Sequence, residues 1–286
     1  MTAPPTLLCL VGTGRCGSTL LLNLLARHPA LAWPSGWTNA FPQLPILALS
    51  HRLWRLKDPG DFRGWRGFPK PAEPNGALEH YFGDLYVSED PKELPRSVID
   101  QCKEHFSRVS LYHGCERIIM KVVGFPVRIS LFLDMWGQGR FVHVTRGLKP
   151  SVSSTLTVSF YSGWGHMEGW QWPGIPGEMF EFHNETEGCE AVGVAMGLWL
   201  QRRRIAEQRH LLSSEQYREI TYIDLVTSPL ENIRTICDWL DISMSDDYTN
   251  ALLRAPVERS NDEKWKETLS KQQVAHLDIF EERFGF

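Results

Sequence analysis

No stretch of this chain stays apolar for long. The early run Leu7–Val11 is too short to cross a bilayer, and nothing downstream reaches the roughly 18 uninterrupted apolar residues of a membrane helix. No Lys or Arg precedes that run, so it lacks the charged flank of a secretory leader and reads as a buried strand. The six cysteines (Cys9, Cys16, Cys102, Cys115, Cys189, Cys237) form no CxxC pair. That argues against a structural zinc site or a disulfide framework and makes a reducing cytoplasm the expected compartment. There is no excess of positive charge either: 30 Lys and Arg against 34 Asp and Glu leave a net charge of −4. Neither nucleic acid nor an anionic membrane is expected as a partner, and an anionic ligand must be met by local cations. Internal repeats and low-complexity tracts are absent. What is present, 286 residues of which 42% are hydrophobic and 22% charged, suffices for a sizeable core, and a single domain over residues 1–286 is expected.

Apolar strands recur, each running into a turn and then a helix. Leu7–Val11 leads through a Gly-rich turn into Thr19–His28, where Leu20, Leu21, Leu24 and Leu25 have helical spacing and Pro29 ends the helix. Arg117–Val123 precedes a helix at Ser130–Trp136. Arg140–Thr145 precedes a helix that starts at Pro150 and runs to about Phe160. Glu190–His210 is a long helix, and a fourth strand, Glu219–Ile223, precedes Pro229–Leu240. The alternation predicts an α/β fold: three αβα layers around a central parallel sheet. Residues 51–97 and 161–188, rich in Trp, Gly and Pro, break the rhythm and read as long loops on the functional edge, within acceptor-side regions near 30–116 and 161–188.

Gly12-Thr13-Gly14-Arg15-Cys16-Gly17-Ser18-Thr19 lies between a strand and a helix, where backbone N–H groups and the helix dipole meet an anion. The loop nearly fits GxxxxGK[ST], but Ser18 stands where a nucleotide triphosphatase has its Lys, and the positive charge sits inside the loop at Arg15. Magnesium-dependent ATP or GTP hydrolysis is disfavoured. A donor that needs a cation beside its bridging oxygen fits better.

The segment GTGRCGSTLLLNLLARHP resembles the 5′-phosphosulfate loop of sulfotransferases that use 3′-phosphoadenosine 5′-phosphosulfate (PAPS), and its Arg form is nearer the tyrosine-protein branch than the cytosolic one. The resemblance implies that Gly14, Arg15, Cys16, Gly17, Ser18 and Thr19 hold the 5′-phosphate. It also implies that Arg146, ending RFVHVTR, and Ser154, eight residues later, bind the 3′-phosphate. An Arg fork at a strand end and a hydroxyl in the next helix can converge on one phosphate. Tyr222 in ITYIDLV resembles an adenosine contact, and Asp224 reads as a cap. Lys264 and Trp265 in NDEKWKETL resemble the segment that closes over the donor, although the Arg-Lys-Gly triplet of the cytosolic branch is missing. The resemblance covers residues 6–29 and 117–286 and is thin over 30–116.

Sulfuryl transfer parallels phosphoryl transfer, so the protein mainly positions groups and supplies positive charge. Arg15 is the expected cation on the leaving phosphate, and Lys121 matches a family Lys beside the transferred group. The base is harder to place. Val123 stands where the cytosolic branch has His, and Ser35 and Gly36 where the tyrosine-protein branch has Glu. His166 is the first candidate because an imidazole titrates near neutrality; Glu168, Glu178 and His183 follow it. The expected acceptor is a hydroxyl on an apolar or aromatic small molecule or peptide. The alternatives are a P-loop kinase or other nucleotide-dependent transferase, and a PAPS-binding protein that has lost its base.

Overall fold

The computed structural model describes residues 5–55, 69–83, 94–123, 128–158, 174–255, 257 and 262–286. Along the chain run β1 (Thr6–Gly12), α1 (Ser18–Leu25), β2 (Leu31–Ala32), α2 (Gly36–Ala40), a 3-10 stretch (Pro45–Arg55), α3 (Asn75–Phe82), α4 (Arg96–His113), β3 (Arg117–Val123), α5 (Ile129–Trp136), β4 (Arg140–Thr145) and α6 (Leu148–Leu156). Then follow α7 (Gly177–Glu185), α8 (Glu190–Gln208), β5 (Tyr217–Thr221), α9 (Tyr222–Thr227), α10 (Pro229–Trp239), α11 (Asp246–Leu253), α12 (Trp265–Thr268) and α13 (Lys271–Phe284). The strands form an all-parallel sheet in the order β2-β3-β1-β4-β5.

Strand β1 is apolar throughout because both of its faces are covered. Leu7, Cys9 and Val11 pack with Phe106 and Val109 of α4 and Phe132 and Met135 of α5. Leu8 and Leu10 point the other way, to Leu21, Leu24 and Leu25 of α1 and Ile233 and Ile236 of α10. A third cluster joins α6, α7, α8 and α13 through Val152, Phe182, Leu198, Leu277 and Phe280. This is the expected αβα sandwich. Among the described residues no helix is long and apolar enough to cross a membrane.

Several boundaries differ from the sequence expectation. Helix α1 ends at Leu25, short of His28, because the His28 ring turns back: Nδ1 accepts from the Ala30 N–H, and Nε2 lies 3.1 Å from the Ser243 carbonyl. Helix α6 starts at Leu148 and ends at Leu156, so Pro150 lies within its first turn, where no N–H is required. The fourth strand ends at Thr221, and Tyr222 and Ile223 belong to a helix instead. Thr221 caps that helix, its Oγ1 accepting from the Asp224 N–H, and Asp224 in turn accepts the Thr221 hydroxyl at 2.7 Å. The stretch 51–97 contains α3 and 161–188 contains α7, so neither is wholly loop. The two-residue strand β2 was too short to carry a period-2 signal.

Three of the buried histidines in this frame have strongly lowered pKa values. His51 stacks on Trp33 with 4.3 Å between ring centres, and its Nε2 is 2.7 Å from Ser35 Oγ. His105 Nδ1 is 2.8 Å from the Pro42 carbonyl, and His143 Nδ1 is 2.7 Å from the Tyr217 hydroxyl. Burial lowers the pKa of His51 to about 3 and those of His105 and His143 to about 4. The folded rings therefore stay neutral while the unfolded ones titrate near 6.5, so the unfolded chain binds more protons as pH falls below that value. Stability should be full above pH 7 and should drop by pH 5, on the order of 1.5–2 kcal/mol for each histidine. Urea unfolding at the two pH values measures this; equal stability at both would show that the rings do not stay neutral on folding.

Candidate active site

Three adjacent strands, β3, β1 and β4, deliver the functional groups to the carboxyl edge of the sheet, where ligands of open α/β folds bind. Between β1 and α1 the chain must turn sharply. A Cβ on Gly12 would lie 2.6 Å from the Val144 carbonyl oxygen, so only glycine lets β1 run this close to β4. Arg15 takes a φ of 63° and Gly17 a φ of 99°, both in the left-handed region. Gly17 then opens α1, whose first N–H groups lack intrahelical partners. A Cβ at Gly17 would meet the Tyr222 ring at 2.3 Å, so that ring lies flat on the loop.

Arg15 Nε donates to Ser154 Oγ at 3.0 Å, and burial together with the neighbouring Arg146 charge lowers its pKa. Arg146, just past β4, lies with its guanidinium carbon 4.2 Å from the Tyr222 ring centre. Its Nε donates to Asp262 at 2.8 Å and its Nη1 to the Arg15 carbonyl at 3.1 Å. Lys121, on β3 opposite Leu10, donates to Thr19 Oγ1 at 2.8 Å and forms an ion pair with Glu73. Three cations thus face two carboxylates, and Arg15 makes no ion pair among the described residues. Charge and loop amides together call for an anion. The Cys16 thiol is buried, and burial pushes its pKa up, so it is no nucleophile here.

The structure brings Arg15, Gly17, Thr19, Lys121, Arg146, Ser154 and Tyr222 together at this edge. Ser154, however, touches Arg15 rather than Arg146. The Gly14 N–H donates to Gln201 Oε1 at 2.7 Å and is already engaged. Lys264 is exposed, next to α12 and two residues after Asp262. His166 and Glu168 lie outside the described residues. Glu178 and His183 lie on α7, with His183 buried. Among the described residues no group of His, Cys, Asp and Glu could hold a metal ion.

Three residues escaped the sequence reading: Glu73, Gln201 and Asp262. Glu73 is firmly held. Its carbonyl accepts from Asn39 Nδ2, its Oε2 from Asn75 Nδ2 at 3.3 Å, and its Oε1 from Lys121. Next to it the Ala72 N–H donates to the Pro34 carbonyl at 2.9 Å, tying the segment to the residues before α2.

Residues 8–246 match the model of the sulfotransferase family. The chain belongs to the sulfotransferase family. It is 23% identical to the omega-hydroxy-beta-dihydromenaquinone-9 sulfotransferase Stf3 of Mycobacterium tuberculosis and of Mycobacterium bovis, over 94% of this chain and 71% of theirs. The sulfotransferase STF9 from Mycobacterium avium has a similar fold, with a TM-score of 0.60 at 16% identity over 99% of this chain and 78% of that one. So does the sulfotransferase domain of the curacin biosynthetic pathway, with a TM-score of 0.53 at 14% identity over 98% of both chains. In this sulfotransferase the Gly-rich loop has no nucleotidase Lys, since Ser18 follows Gly17.

The loop geometry makes Gly17→Ala severe. A left-handed alanine costs about 1–2 kcal/mol before the Tyr222 ring is displaced from the Arg146 guanidinium. Gly36→Ala, with nothing within 4 Å of its Cβ, should stay within about 0.5 kcal/mol of the parent. Thermal melts of the two variants decide the matter, and a Gly17→Ala protein as stable as Gly36→Ala would contradict the contact.

Proposed function

We propose that the enzyme transfers the sulfuryl group of PAPS to a hydroxyl on an apolar or aromatic acceptor, with Glu73 as general base. The observation that carries this reading is the pair of guanidiniums, Arg15 and Arg146, joined through one loop to the Lys121–Glu73 pair. The groups present fit the donor. The α1 amides and Thr19 suit its 5′-phosphate, Arg146 its 3′-phosphate, and the Tyr222 ring its adenosine. When bound, PAPS supplies an activated sulfuryl group and a leaving phosphate. Arg15 meets the charge that grows on that phosphate, and Lys121 meets the sulfuryl oxygens.

Glu73 replaces His166 as the favoured base because the fold anchors it beside Lys121 and Thr19. A carboxylate offers about four lone-pair sites. Lys121 and Asn75 take some of them, and the side chain keeps 29% exposure, which leaves room for an acceptor hydroxyl. Asn39 ties Glu73 to α2, and α2, the turn after it and the 3-10 stretch carry the exposed Trp37, Phe41, Leu44, Ile46 and Leu49. An apolar surface so close to the base suits an apolar acceptor, in line with the lipid quinone in the name of the Stf3 relatives. The protein is read as one cytoplasmic domain, without nucleic acid as a partner and without a metal in its chemistry.

Adenosine 3′,5′-bisphosphate should raise the melting temperature, and ATP with magnesium should not; the reverse would favour a kinase. Arg146→Ala should weaken bisphosphate binding about 10- to 100-fold, the scale of a charged hydrogen bond, with little change for AMP. Equal losses for both nucleotides in calorimetric titration would remove Arg146 from the 3′-phosphate.

Glu73→Gln should lower turnover about a hundredfold or more, with a smaller loss on nitrophenols, whose proton leaves unaided. His166→Ala should be nearly silent on the same acceptors. A silent Glu73→Gln beside a crippled His166→Ala would return the role to the histidine.

A further inference from the structure

Arg15 holds a backbone conformation that L-residues seldom adopt, and such turns persist only when their surroundings over-determine them. Two hydrogen bonds from distant parts of the chain grip either side of it. Arg146 takes the Arg15 carbonyl, and Gln201 takes the N–H of the preceding Gly14. Gln201 is buried on α8, and Leu198, one turn earlier, would sit 3.7 Å from a Cβ on Gly14. Helix α8 thus lies directly against the loop, and the Gly14 site has room for a methyl group. What joins the two there is a hydrogen bond rather than close backbone packing.

We infer that Gln201 is a positioning residue of the donor loop: it reserves the Gly14 amide for α8 and fixes the turn that aims Arg15. This rests on the donor reading above. The carboxamide suits the task because it accepts a hydrogen bond without bringing a negative charge to a site built for an anion. A carboxylate in its place would keep the bond but repel the ligand, and an alkyl side chain would keep the shape but lose the bond. Within the loop the Gly14 amide thus serves the scaffold, and the Gly17 amide is assigned to the ligand.

The amides can be followed by NMR of glycine-labelled enzyme, with Gly14 assigned from the resonance lost in Gly14→Ala. Adding adenosine 3′,5′-bisphosphate to the parent should shift Gly17 strongly and leave Gly14 nearly unmoved. Gln201→Leu should speed Gly14 amide exchange about tenfold or more, as expected for one lost hydrogen bond, and should lower kcat more than donor affinity. Gln201→Glu should keep Gly14 protected and bind the bisphosphate more weakly, with the deficit shrinking as salt is added. If Gln201→Leu does not fold, the parent titration and Gln201→Glu still decide. Gly14 shifting as much as Gly17, or unchanged Gly14 exchange in Gln201→Leu, would overturn the role of Gln201 and leave the donor reading standing. No response from either glycine would overturn the donor reading and this inference together.

Discussion

The turn between β1 and α1 passes through Arg15 at a positive φ, and three hydrogen bonds from distant parts of the chain hold it there. A β-strand feeding a helix across so few residues leaves the chain little choice. Gly12 must lie against β4, Gly17 must accept the Tyr222 ring, and the residue between them that carries the charge cannot itself be glycine. Its strain is held by contacts from Arg146 just past β4, from α6 and from α8, parts that come together only in the finished fold. Rigidity at this point serves chemistry that depends more on placing charge than on making covalent intermediates.

The pattern of ion pairing follows from the same economy. Lys121 and Arg146 are largely buried, and each has a carboxylate partner, as buried charges require. Arg15 is exposed and is steadied by the Ser154 hydroxyl. An incoming anion therefore finds one cation without a carboxylate partner among the described residues, flanked by two whose charge is already balanced. That arrangement centres attraction on the loop without leaving the empty site strongly charged.

Much of this was legible in the sequence where the signal is local. The run Leu7–Val11, the loop glycines and RFVHVTR each carry their meaning within a few residues, so sheet, loop, Arg15 and Arg146 were readable in advance. Tyr222 was found, but on the wrong element, because ITYI has strand composition while the Thr221 cap starts a helix inside it. Glu73 was hidden for a different reason. It lies in the Pro-rich stretch KPAEPNG, and its place beside Lys121 depends on Asn39 and on the pairing of Ala72 with Pro34, which no local pattern encodes. Gln201 sits in a helix full of Arg and Gln and differs from them only by facing inward. Residues that act by reaching across the fold leave little trace in one dimension.

The sheet order has a consequence for how the protein comes into being. Strand β1 is made first, yet its neighbours are β3 and β4, and Thr6 pairs with Arg117 while Leu8 pairs with Arg140. The loop that follows β1 therefore waits until Val123 for the first flanking strand to be complete, and until Thr145, about halfway along the 286 residues, for the second. Contacts of such high sequence separation form slowly, because the loop-closure entropy must be spent before pairing repays it. The site is thus a late product of folding: a growing chain can carry the whole Gly-rich motif and still have nothing to hold Arg15 in its turn.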